Sequence, residues 1–228
     1  MIFALTGVAN ALARKGRWQD ADALFQRAEK IWPLKWAPNA INIPGNRGRY
    51  LLLAGRPADA LRYLDIAIAE GTRGGVNHDA VAAMHHHRVC ALHQLGRGAD
   101  ASFSVAAALS TRSATSAASL HLCMGNDKAA RQALLDGFKN PVDRDGVIAF
   151  FQHSGPALPS EYSRQSRLRA DALKADPVLR AELEKYGRVL PFRIDEGAPR
   201  EQAEAPRSPP PPDGVDVSDR RVAPDPSS

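Results

Sequence analysis

The stretch ALARKGRWQDADALFQRAEKIWP, residues 11–33, narrows the possible folds more than any other part of the chain. Gly16, Trp18, Ala21, Phe25, Ala28 and Pro33 follow one another at offsets of two, three, four, three and five. Steps of three and four trace one face of a helix. The glycine just before the aromatic allows a chain reversal, because without a Cβ it reaches backbone conformations that other residues avoid. The two alanines let a neighbouring helix come close, and the aromatics between them fill the wedge. Almost no alternating β-rich run competes elsewhere, so the pattern predicts paired helices.

Three weaker copies follow. Residues 46–71 supply Gly48, Gly55, Ala60, Leu64 and Ala67, residues 87–109 supply Gly96, Ala101, Val105 and Ala108, and residues 119–138 supply Gly125, Ala130 and Leu134. In the last copy Gly137 stands where an alanine is expected. The spacing resembles the tetratricopeptide repeat (TPR) family, whose unit is a helix-turn-helix of about 34 residues. The resemblance covers residues 1–138 and implies a short solenoid with a concave groove. The turn glycines Gly16, Gly55, Gly96 and Gly125 are 39, 41 and 29 residues apart. The two long intervals predict loop insertions at 35–45 and 71–79, and the short one predicts a clipped helix.

Residues 139–194 predict a C-terminal helical cap of three helices, begun by an Asp cap at 143, by Ser160, and by Asp176 with Pro177 at the first helical position. Residues 195–228 are rich in proline and acid, with almost nothing to bury, and predict a disordered tail. The expected fold is thus all-α. The ending KADPVLRAELEKYGRVLPF also resembles that of bacterial regulators and cyclase-like proteins carrying a TPR region behind an effector domain. It offers an alternative expectation, in which the chain is the interaction part of such a protein and Met1 is not its true start.

The chain has 228 residues and a formal charge of +5. From Glu196 onward seven acidic residues oppose four arginines, so that segment carries −3 and the remainder +8. A basic body suits acidic partners, the tail among them, but no basic-aromatic interleaving or recognition motif points to nucleic acid. No stretch has the length of apolar sequence that a membrane span needs. MIFALTGVANALA imitates a signal peptide but lacks a positive residue before its apolar run, and the repeat needs the same residues. Cys90 and Cys123 are too few for a disulfide framework. They are expected as buried, reduced thiols in a cytoplasmic protein.

MHHHRVCALHQLG, residues 84–96, gathers four histidines and a cysteine. On the repeat frame Ala83, His86, Cys90, His93 and Gln94 face inward. His86 and His93 lie about 10 Å apart along the axis at 1.5 Å per residue, too far to share one ion. His86 and Cys90, four apart, are only two ligands, so no metal and no cofactor are expected. Neither an orienting acid nor an oxyanion donor accompanies the cysteine, and no P-loop, dinucleotide or hydrolase motif occurs, so no enzyme is expected. The resemblance instead implies protein binding through the groove. Asn10 and Asn46 match the asparagines with which carboxylate-clamp TPR proteins hold a peptide terminus. Thr6, Ala83 and His87 replace that clamp's basic residues. Asn46 as a helix cap is the plainer alternative. Arg14, Arg49, His86 and His93 are expected to make the groove basic, with Cys90 among them, for a protein partner or an acidic peptide.

Overall fold

A computed structural model describes residues 2–31, 41–75, 77–111, 113–152 and 159–189, all within one compact unit spanning Met1–Ile194. The predicted tail and the side chain of Asn10 lie outside the described residues. The fold is all-α, with no strand among the described residues. Its helices are α1 (Ile2–Arg14), α2 (Trp18–Ile31), α3 (Asn42–Leu53), α4 (Pro57–Arg73), α5 (His78–Gln94), α6 (Ser102–Leu109), α7 (Ala114–Cys123), α8 (Asp127–Lys139), α9 (Arg144–Phe151), α10 (Glu161–Ala175) and α11 (Pro177–Glu184). None of them is long and apolar enough to cross a membrane.

The first eight helices pack in pairs, α1 with α2, α3 with α4, α5 with α6 and α7 with α8. The same turn joins each pair. Gly16, Gly55, Gly96 and Gly125 have φ of 72°, 75°, 69° and 76°, values that glycine adopts without steric cost. The residue after each glycine donates its N–H to the carbonyl five positions back, as Arg17 does to Leu12 and Arg97 to Leu92. This bond satisfies a carbonyl left open at the helix end.

The small residues of the repeat sit where helices approach most closely. Ala21, Ala60 and Ala130 are fully buried, as is Ala67, and Ala28 and Ala101 are 1% exposed. Gly137 is a tighter version of the same contact. A Cβ there would lie 2.5 Å from Ala114 Cβ and 2.6 Å from Val147 Cγ2, so the glycine admits α9 to a place where the alanine of the other units would block it.

The predicted insertion at 71–79 is largely helix, because α4 and α5 each extend to 17 residues and take up the long interval themselves. Of the insertion at 35–45, residues 41–45 open α3 or immediately precede it, and 35–40 lie outside the described residues. The clipped helix is found, since α6 has eight residues behind a 3-10 turn at Gly98–Ala101.

Beyond α8 the predicted helix starts hold. Asp143 occupies the N-cap of α9 without a side-chain cap bond, whereas the Ser160 and Asp176 side chains accept from the first-turn amides of α10 and α11. Helix α9 packs on α7 and α8, and α11 packs on α8. Helix α10 takes a different course and also reaches α3. The Ser160 and Ser163 hydroxyls donate to the Leu53 carbonyl at the end of α3, and Arg169 donates to the Leu122 carbonyl at 2.8 Å near the end of α7. Helix C-termini carry carbonyls with no partner inside the helix, and α10 supplies donors for two of them.

Candidate functional site

Helix α5 touches α3, α4, α6 and α7, so its side chains meet a different neighbour on every side. Asn77 starts it by accepting from the Asp79 amide at 2.8 Å. Its histidines separate accordingly. His85 is buried, with Nδ1 3.1 Å from Ser104 Oγ, and Arg88 donates to the same hydroxyl while holding Asp65 at 2.7 Å. This network joins α5 to α6 and α4 and leaves His85 no role in a groove.

His86 and His87 stand between two cavities. One, of about 250 Å³, is walled by Arg49 of α3, Ser119 and Cys123 of α7, Phe150 of α9 and Tyr162 of α10. The other, of about 460 Å³, is lined by hydroxyls, among them Thr111, Ser113, Thr115 and Ser116. Both histidines and Ser119 border both spaces.

Between them the walls hold one permanent positive charge and, in the smaller cavity, no acid. Burial pushes Arg49 below its ordinary value. Burial, and then the nearby Arg49 charge, lower His86 to about 4. Burial, then His86 and Arg49, lower His87 to about 3. Both imidazoles are therefore neutral at pH 7, and each offers a lone pair and an N–H rather than a charge. Burial also raises the Tyr162 phenol, which keeps its proton.

The expected groove residues are only partly brought together. Arg49, His86 and Cys90 meet at the smaller cavity. His93 borders a separate space of about 290 Å³ with Cys123, Tyr162 and Arg169. Arg14 is exposed in the last turn of α1 and lines none of these cavities. Asn46 lies in the second turn of α3, whose N-cap is Ile41, so the capping alternative for Asn46 does not hold. His86 is also less basic than expected, because burial and the nearby Arg49 charge keep it neutral.

The expectation for the cysteines needs correction as well. Cys90 and Cys123 form a disulfide across α5 and α7, with Cα atoms 5.4 Å apart, so Cys90 offers no free thiol to a partner. The two are 33 residues apart in sequence, close to one repeat, which brings them together on the first helices of neighbouring pairs. That separation was the available signal. A nitrogen of His86 and the two sulfurs lie within 4.8 Å of one another. Tyr162 and Phe150 are further wall residues that the repeat frame did not indicate, because they come from the C-terminal helices. No family model matches the chain, and neither the curated proteins nor the solved structures provide a match.

Proposed function

We propose that this chain is a non-catalytic protein-interaction module of the cytoplasm, a short TPR-like solenoid with a helical cap, which takes an acidic peptide segment of a partner protein. One observation carries the reading. Arg49 faces a cavity lined by no acidic residue and pairs with no carboxylate among the described residues. A cation held in this way, beside neutral imidazoles and the hydroxyls of Ser119 and Tyr162, is complementary to a carboxylate. Its guanidinium can grip that group with two parallel hydrogen bonds. The hydroxyl-lined space beyond His86 and His87 suits the backbone and small polar side chains of the same segment. Helix α10 already forms one wall, so the peptide enters a cleft bounded on that side by the chain itself.

The test is fluorescence anisotropy with two short labelled peptides of equal length, one rich in aspartate and glutamate and the other rich in lysine. The wild-type chain is expected to bind the acidic peptide selectively. Arg49→Glu should weaken that binding by about tenfold or more, the loss of a charge-assisted contact worth at least 1.4 kcal/mol. Equal binding of the two peptides, or full binding by Arg49→Glu with its helical spectrum intact, would remove the cavity from consideration as the interaction site.

A further inference from the structure

His86 precedes Cys90 by one turn of α5, and Cys123 reaches the same point from α7. Their donor atoms lie within 4.8 Å of one another. A tetrahedral zinc ion with bonds of about 2.3 Å to sulfur and 2.0–2.1 Å to nitrogen spaces its ligands by roughly 3.5–3.8 Å. The His86 nitrogen is thus within about 1.3 Å of that spacing from each sulfur, and the two sulfurs, bonded to each other in the oxidised chain, have to move apart to reach it once the bond is reduced. Sequence reasoning set a metal aside because it counted two ligands from one turn, and folding adds the third.

We propose that the Cys90–Cys123 disulfide is the oxidised state of a metal site in which both sulfurs and the His86 imidazole bind one zinc-class cation. Two thiolates and an imidazole select a soft or borderline ion over magnesium or calcium, which prefer oxygen. The two thiolate charges cancel those of a divalent ion, so the loaded site adds no net charge beside Arg49. Three protein ligands leave a fourth position open, and it faces the cavity walled by Arg49 and Tyr162, where a water molecule or an entering carboxylate can occupy it.

The switch between states balances as follows. A cellular dithiol reductant passes two electrons and two protons to the Cys90 and Cys123 Sγ atoms and becomes a disulfide itself. The cation then displaces both thiol protons to solvent and accepts one electron pair from each sulfur and one from the imidazole nitrogen. In an oxidising compartment the bond persists. In a reducing one the site is available to metal. The inference is independent of the peptide reading, and its test contains no peptide.

The experiment uses the untagged full chain, reduced anaerobically with a phosphine and freed of excess reductant, with Co²⁺ as the spectroscopic probe. The reduced chain is expected to bind one Co²⁺ per molecule, with thiolate-to-metal absorption in the near ultraviolet and the intense visible bands of tetrahedral coordination, all abolished by Zn²⁺. The oxidised chain should show none of these bands. Cys90→Ser and Cys123→Ser should each lose the thiolate signature. His86→Ala should weaken binding by at least about tenfold, since even outer partners of a metal ligand are worth 10–100-fold. His78→Gln, at the exposed start of α5, should leave binding unchanged.

Uptake that is the same before and after reduction, an octahedral spectrum, or His86→Ala binding as tightly as wild type would overturn the proposal. If reduction costs helicity, Zn²⁺ should restore it in the wild type and not in His86→Ala. Failure of that rescue counts equally against the site.

Discussion

Arg47 and Arg49 are two residues apart on α3, about 200° around the helix at 3.6 residues per turn, and their surroundings are opposite. Arg47 is 5% exposed. It donates to both carboxylate oxygens of Asp22 at 2.8 and 3.2 Å and to Glu29 at 2.7 Å, and its guanidinium lies 4.0 Å from the centre of the Tyr63 ring. Burial alone would lower it, but the bonds to Asp22 and Glu29 outweigh burial and raise it above its ordinary value. Arg49 has burial without those partners, and its value falls. One side of α3 uses a cation to join α2, α3 and α4. The other side presents a cation to open space. The difference separates a residue that holds the fold from a residue available to a ligand.

The two sides are also fastened differently. On the Arg47 side the link between α2 and α3 is ionic and aromatic, with Trp18 edge-on to Tyr50 at 5.2 Å and Phe25 tilted against it at 5.6 Å. On the Arg49 side the link between α5 and α7 is covalent. The comparison predicts that variants on the first side act on stability alone.

The largest effect is expected for Arg47→Ala, which leaves Asp22 and Glu29 facing each other without their shared cation. The loss should be about 3 kcal/mol in urea denaturation, the low end for a broken buried pair because Glu29 still reaches water. A loss below about 0.5 kcal/mol would place Arg47 among ordinary surface charges and dissolve the contrast.

Replacing both cysteines by serine should come next, at about 2–3 kcal/mol, because the bond closes a segment of 33 residues and restrains the unfolded chain. The urea midpoint should fall with little change in the helical spectrum. A variant as stable as the oxidised wild type would mean that α5 and α7 need no fastening.

Acid should weaken the cavity side before it changes the charge of Arg47. His86 and His87 are neutral in the folded chain, with values of about 4 and 3, and His85 is lowered by burial. In the unfolded chain each returns to about 6.5. Below that pH the unfolded state binds more protons, so stability falls as the solution is acidified, down to the folded values near 4 and 3. Urea midpoints at pH 7 and pH 5 should show the decline, and the double variant His86→Gln, His87→Gln should reduce it. A wild-type profile flat over that interval would contradict burial as the cause.

Much of the architecture was legible because it is local. A glycine at the start of each reversal and small residues seven apart sit within a single turn-helix unit, and they identified the four helix pairs. What was not legible depends on residues distant in sequence. The partners of Arg47 lie 18 and 25 positions earlier on the preceding pair. Cys123 was named as a buried thiol, but only the packing of α7 on α5 shows that it meets Cys90. Helix α10 reads as part of a cap in sequence, and its course is set by carbonyls at Leu53 and Leu122 that no pattern of side chains announces.

The smallest effect is expected at Arg49 itself, and its sign carries the comparison. Arg49→Gln removes a charge that burial disfavours and breaks no ion pair among the described residues. Stability should therefore change by no more than about 0.5 kcal/mol, and upward if it changes at all. Relieved of the Arg49 charge, His86 and His87 should protonate more readily, which is measurable as an upward shift of their imidazole resonances in an NMR titration. A stability loss like that of Arg47→Ala would show that Arg49 has a structural partner and is not held for a ligand. A loss of peptide binding with stability and helicity unchanged would place the two arginines of α3 on opposite sides of the division between folding and recognition.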